Sequence, residues 1–472
     1  MLVNHTSKIK SLILIVLLSM SCHNLSAEET ILDYFFDDIT FTNQPNKMRF
    51  QQLQNHLRNS QIEQAVQLAE DLVDQHIDLS ESHPIRFGKL LSNLGILLSY
   101  QGYFADAMTS LDPALDFIEQ RSNPFSSTIL KVTMARGLTL AEMDQFEGAE
   151  ESFRRAQHIS HRTWGVYTPA QLEIVNHITR LNLRQGLYSD ADREQNFNLR
   201  ISEQAYGKSS EEIIPILERL GGYFATRGSM IPLNTNGTDF RYYRDSLFRQ
   251  SLTMYRRAIK IIEDNHGVND MRLVEPLRGL ARARLLQITN RGASEDALER
   301  ALRIVESNPD TDVPDRVRAM IHLGDIYTIT SDGRARDIYI KAWNAMQDNP
   351  DYDELKAELF GTPTRLHPEI SGVLYLKRKP DAAVTPDTEL YIDVSYSVKA
   401  NGHVGNIRLI DKNVPNAQVR YIRSQLADTR FRPRIFDGEP VTTENLMIHQ
   451  IFKVLGDQPI ESNITIGQTG GQ

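Results

Sequence analysis

The sequence predicts a multidomain chain, in which an all-α solenoid of stacked helical hairpins is followed by a small α+β domain. Three observations predict it. A turn-forming Gly or Asp recurs at Gly102, Asp144, Gly186 and Gly228, each 42 residues after the last. Small residues recur at Ala107, Ala149 and Ala191, and a further Gly at Gly165 and Gly207, with the same spacing. A fixed period of this size means stacked supersecondary units rather than one globular core. Beyond Pro368 the period changes: Leu390, Ile392, Val394, Tyr396 and Val398 alternate with polar residues, as on a half-buried strand.

Within one hairpin the spacing explains the packing. In Leu94-Gly95-x-x-Leu98 the glycine lets a neighbouring helix approach closely, and Gly102 ends that helix. On the next helix Ala107, Leu111 and Ala114 share one face, because residues three and four apart are neighbours there. The following copy repeats this with Gly137, Leu140, Ala149, Phe153 and Ala156. This pattern resembles the tetratricopeptide repeat, in the longer-period form of kinesin light chains. The resemblance covers residues 50–349 and is clearest at Leu94 to Ala114, Gly137 to Ala156, and Leu323-Gly324-x-x-Tyr327 with Ala335, Tyr339 and Ala342.

The 472 residues suffice for two or three domains, and the hydrophobic and charged contents of 40% and 24% are ordinary for folded protein. A net charge of −9 counts against nucleic acid or an anionic membrane surface as partner. One cysteine, Cys22, excludes an intrachain disulfide, so stability must come from helix packing.

Taken in order, residues 1–27 read as a secretory signal. Lys8 and Lys10 precede an unbroken apolar run from Leu12 to Leu18, and Leu25-Ser26-Ala27 precede Glu28-Glu29. The run is too short for an anchor. Two maturation routes stay open: cleavage after Ala27, or lipidation of Cys22, since Leu18-Ser19-Met20-Ser21-Cys22 loosely resembles a bacterial lipobox. The first route gives a periplasmic protein and the second a lipid-anchored envelope protein facing the periplasm. Residues 28–49 form an acidic and aromatic lead-in with Tyr34, Phe35 and Phe36. A degenerate first hairpin follows, and the copy at Leu172 to Ile201 carries Gln195 where Leu111 and Phe153 stand in earlier copies. In the fifth copy Gly267 comes 60 residues after Gly207 instead of 42, which places an insertion near 230–244. Met230 to Arg241, with Pro232 and Gly237, reads as its loop. A sixth and a seventh hairpin run to Met346.

Residues 350–388 read as a linker, 389–455 as the second domain and 456–472 as a flexible tail. In the second domain a strand precedes Asn401-Gly402, a tight-turn signal, and a second strand follows. Val419, Ile422 and Leu426 have helical spacing. Phe431-Arg432-Pro433, Gly438 and Pro440-Val441 lead into a last strand at Asn445 to Val454. This order resembles the C-terminal domain of TonB energy transducers. The resemblance implies a domain that pairs an exposed edge with a strand from a partner, typically the N-terminal box of an outer-membrane transporter. His23 lies beyond the apolar run and there is no Pro-rich spacer, which departs from the transducers and counts against force transmission.

No phosphate-cradling glycine loop, H-E-x-x-H or G-x-S-x-G is present, and no cofactor or metal is implied. His158 and His161 have ligand spacing but no acid or Cys cluster joins them. The reading is an exported, non-catalytic adaptor of the Gram-negative envelope that binds protein or peptide partners. The alternative is an energy transducer coupled to an outer-membrane transporter. Partner-binding candidates are Lys89, Ser92, Asn93, Asn176 and Arg180 on first helices, and Arg430, Arg432 and Arg434 near an expected sheet edge.

Overall fold

The structure is a computed structural model and describes residues 30–41, 43–231, 238–287, 291–347, 349–367, 373–376 and 389–454. The signal over residues 1–27 with Cys22, residues 232–237 of the insertion and the tail 456–472 lie outside the described residues. The chain divides into two compact units, Met1–Ala205 and Tyr206–Gln472.

In the first unit α1 (Gln44–Arg58) pairs with α2 (Ile62–Asp74), and a short α3 (Leu79–Ser82) follows. Then α4 (Pro84–Tyr100) pairs with α5 (Phe104–Glu119), and α6 (Ser127–Glu142) with α7 (Phe146–Trp164). Next, α8 (Ala170–Arg184) bonds to α9 (Tyr188–Tyr206). The turn markers do what their spacing implies: Gly102, Asp144 and Gly186 all have positive φ, at 86°, 57° and 74°. The fourth marker differs. Gly228 sits inside a helix, where a Cβ would lie 2.9 Å from the Phe248 ring, so its role is close packing and not a turn.

Packing follows the small-residue faces. Ala107, Leu111 and Ala114 are fully buried, as are Ala149, Phe153 and Ala156. A Cβ on Gly95 would meet Leu111 Cγ at 2.7 Å and the Ala107 carbonyl oxygen at 3.0 Å. The α8–α9 pair is held differently from its neighbours. Gln195 is buried and donates to Thr179 Oγ1 at 2.9 Å, and Asn198 donates to Asn176 Oδ1 at 2.9 Å. Paired polar groups here take the place of the apolar contact found in earlier copies, which satisfies atoms that burial would otherwise penalise.

In the second unit α10 (Ile214–Met230) pairs with α11 (Thr238–His266), α12 (Val274–Gln287) with α13 (Arg291–Ser307), and α14 (Val313–Thr330) with α15 (Arg334–Asn344). The insertion is absorbed mainly as helix. The expected loop extended to Arg241, but α11 begins at Thr238 and runs 29 residues, against 19 in α7. Tyr255 and Ala258 are buried, as expected of the displaced packing pair.

The stretch 350–388 is not a linker throughout. It contains α16 (Asp353–Phe360), β1 (Thr364–His367) and β2 (Val373–Leu376). The remaining elements are β3 (Leu390–Val398), β4 (Val404–Lys412), α17 (Asn416–Asp428), β5 (Arg430–Arg432), β6 (Arg434–Phe436), β7 (Glu439–Val441) and β8 (Thr443–Val454). The sheet order is β2-β8-β3-β4, with β2 parallel to β8 and the rest antiparallel. Leu390, Ile392, Val394, Tyr396 and Val398 pack with Val419, Ile422 and Leu426, so the alternating face and the helical face form one core. Ile435 joins a different cluster, with Tyr339, Ala342, Met346 and Phe360, and this seats the C-terminal region on the last helical hairpin.

The helix crossings generate a stability prediction. Gly95→Ala should destabilise the protein by about 1–3 kcal/mol through overpacking against Leu111 and Ala107. Gly102→Ala should lose about 1–2 kcal/mol from the left-handed strain alone. Urea denaturation measures both, and a neutral Gly95→Ala would refute the close crossing.

Candidate functional site

First helices of successive hairpins in the first unit, α4 and α6, present one face to the lead-in segment. Thr30 starts that segment by capping a single 3-10 turn, Ile31–Tyr34, in a capping box with Asp33. The chain then straightens at Phe35, with φ −60° and ψ 137°.

Asn93 grips the straightened segment at one peptide residue. Its Oδ1 accepts from the Phe36 amide at 2.7 Å, and its Nδ2 donates to the Phe36 carbonyl at 2.9 Å. Asn93 is only 1% exposed, so these bonds satisfy groups that would otherwise be buried and unpaired. Lys131 Nζ lies 3.5 Å from the Phe35 carbonyl oxygen, and Gln54 donates to the Asp37 carbonyl at 3.2 Å. Three consecutive carbonyls are thus read by side chains from three helices. Because these contacts engage backbone, they would be available to any extended peptide.

Side chains fix the register. The Phe36 ring is buried, with Lys89 Nζ 5.2 Å and Lys131 Nζ 5.4 Å from its centroid. Lys89 also bonds to Asp38 at 2.6 Å. Ile39 is buried, and Phe41 packs on Phe50 and on His76. Tyr34 is 5% exposed within the cluster of Ile96 and Met134, and its hydroxyl finds no partner.

Of the sequence candidates, Lys89 and Asn93 therefore meet on one peptide segment. Ser92 turns inward and is fully buried, Asn176 is engaged by Asn198, and Arg180 is exposed on α8. Sequence reading missed Lys131, Phe36 and Asp38. The available signal was that Lys131 follows Lys89 by 42 residues, the repeat period. His158 packs edge-on against Phe125, while burial, then the charge of His158, holds His161 below the usual histidine range. Among the described residues no group of three or more His, Cys, Asp or Glu could hold a metal ion.

The three arginines near the expected edge have separate roles. Arg432 is partly buried, its side chain 11% exposed, and forms a bidentate pair with Asp325 of α14, Nε to Oδ1 at 2.9 Å and Nη2 to Oδ2 at 2.8 Å. Its Nη1 donates to the Leu359 carbonyl at 3.0 Å, and Tyr339 donates to Asp325 at 2.7 Å. Burial, then the neighbouring Asp325 charge, pushes the Tyr339 phenol well up. Arg432 thus docks the C-terminal region on α14 instead of lining an exposed edge. Arg430 donates to the carbonyls of Ala427, Asp428 and Thr429 at the end of α17, and Arg434 lies over the Phe436 ring. β5 itself pairs with β1, and β6 with β7. β8 lies between β3 and β2, but β2 covers only Ile451 to Val454. Among the described residues no strand covers the rest of that flank.

No protein-family model matches the chain, and no curated protein matches it. Among solved structures the chain is similar to the nearly identical TPR-like repeats of a putative kinesin light chain from Podosopora anserina. That match has 13% identity and a TM-score of 0.37, over 48% of this chain and 99% of the other. The apo form of RapI matches at 12% identity and a TM-score of 0.38, over 67% and 82%. The TPR2AB domain of yeast Sti1, in complex with pHSP90, matches at 14% identity and a TM-score of 0.24, over 67% and 96%. The kinesin light chain and Sti1 neighbours are TPR or TPR-like repeat proteins.

The partly buried Arg432–Asp325 pair supplies a prediction. Asp325→Asn leaves Arg432 without a counter-charge and should destabilise the second unit by about 3–5 kcal/mol. Thermal and urea unfolding followed through the near-ultraviolet signal read this out, and a change below about 1 kcal/mol would show that the pair does not anchor the C-terminal region.

Proposed function

We propose that the protein is a non-catalytic scaffold that binds an extended peptide or protein segment on the face formed by its first helices. The observation that carries this reading is the Asn93 clamp, which holds a peptide group by both its amide and its carbonyl. A side chain buried for that purpose recognises main chain, while Lys89 and Lys131 select what flanks it. Arg180 on α8 leaves charge exposed on the next first helix, where a longer partner would be met.

Export is part of the same proposal. Lys8 and Lys10, the run Leu12 to Leu18 and Leu25-Ser26-Ala27 before Glu28 suit a signal, with maturation after Ala27 or lipidation at Cys22. The scaffold would then work in the periplasm or on a lipid anchor facing it. The C-terminal region adds a second contact. Its order of two strands, helix and last strand is that of the TonB-like resemblance, and the flank of β8 before Ile451 suits strand addition by a partner such as an outer-membrane transporter. With Arg432 committed to Asp325, affinity there would come from backbone hydrogen bonds more than from arginine charge.

A photo-crosslinking residue at Arg180, compared with one at Arg193 on the second helix α9, tests the first-helix face in the exporting cell. Capture of a discrete partner at position 180, at least tenfold above position 193, is the expected result. Equal capture at both positions, or none at position 180, would contradict the assignment.

A further inference from the structure

We propose that residues 34–41 are a displaceable occupant of this groove, held in cis, and that they reveal its ligand class: an extended segment with an aromatic residue two positions before an acid. This rests on the peptide-binding reading above and adds to it the ligand's chemistry and its control.

The segment is bound as a ligand is bound. Among the described residues no backbone–backbone hydrogen bond ties residues 36–41 to a helix or strand. Its main chain is held by Asn93, Lys131 and Gln54, all side chains of the receiving surface. Two ammonium groups converge on one aromatic ring, and one of them also takes the carboxylate two residues later. That geometry reads Phe-x-Asp, here Phe36-Asp37-Asp38.

The fit is also imperfect in a way that leaves room for a competitor. The Tyr34 hydroxyl is buried with no partner, and an unpaired buried hydroxyl is penalised. A segment with Phe at that position makes the same apolar contacts without the penalty. What retains the native segment is its connection to α1, which begins at Gln44. A short tether supplies an effective concentration on the order of millimolar, so an external peptide of equal contacts competes poorly until the tether is cut or the segment is drawn away.

The test uses the full chain with a specific protease site inserted after Phe41. The probe is a fluorescent peptide of sequence TILDYFFDDITF, residues 30–41. Cleavage should lower the peptide concentration for half-occupancy at least tenfold, with helical circular dichroism retained. Asn93→Ala in the cleaved chain should raise it at least tenfold, and a probe with Phe in place of Tyr34 should bind at least fivefold more tightly. Failure of the probe to enter the cleaved chain, or loss of the helical signal whenever the segment departs, would make residues 34–41 a permanent part of the core and overturn the proposal. Exchange of the probe is independent of capture at Arg180, so failure of the scaffold reading and failure of the cis-ligand proposal are separately visible.

Discussion

A 42-residue period places equivalent positions of successive first helices on one face, and the lead-in site depends on that constraint. Lys89 and Lys131 are one period apart, and both reach the ring of Phe36. A single ammonium over an exposed ring is worth about 0.5–1 kcal/mol, and desolvation raises the value. Two on a buried ring also repel one another, and Asp38 bonded to Lys89 offsets part of that repulsion. The site needs helices held at fixed spacing, and the fixed spacing comes from glycine crossings such as Gly95 against Leu111.

Part of each surface expected to bind partners is engaged within the chain, by different physics. The lead-in segment is held by peptide-group hydrogen bonds and apolar anchors, which another peptide can reproduce. Arg432 is held by a partly buried bidentate ion pair, Asp325 being further bonded by Tyr339. Removing one member of such a pair is far more damaging than the pair is stabilising, so Arg432 specifies where the C-terminal region docks. The first arrangement suits exchange and the second suits permanence.

Much of the fold was legible in the sequence because burial is periodic. The small-residue faces at Ala107, Leu111 and Ala114, and the alternating face from Leu390 to Val398, are buried as their spacing implies. Gly102, Asp144 and Gly186 read as turns, since a left-handed residue ends each first helix there. Gly228 read as a turn too but lies inside α10, because glycine serves close packing and turns alike and spacing cannot separate the two. The 18 extra residues of the fifth copy were legible, but their conformation was not: Pro232 and Gly237 pointed to a loop, whereas most of the added length extends α11. Of the lead-in contacts, Lys89 and Asn93 were within reach of the sequence because they lie on the first-helix stripe that points away from the hairpin's own packing face. Phe36 and Asp38 could not, because nothing local tells an aromatic lead-in which groove it enters 57 residues away. Asp325 was hidden for the same reason, since its partner Arg432 is 107 residues distant.

Peptide binding at the first-helix face requires that Asn93 hold the backbone at Phe36. Amide hydrogen exchange at Phe36, in the wild type and in Asn93→Ala, measures this directly, with the amide of Leu97 in α4 as the control for global opening. Phe36 should exchange at least tenfold faster in the variant while Leu97 is unchanged. Equal exchange at Phe36 in the two proteins would contradict it.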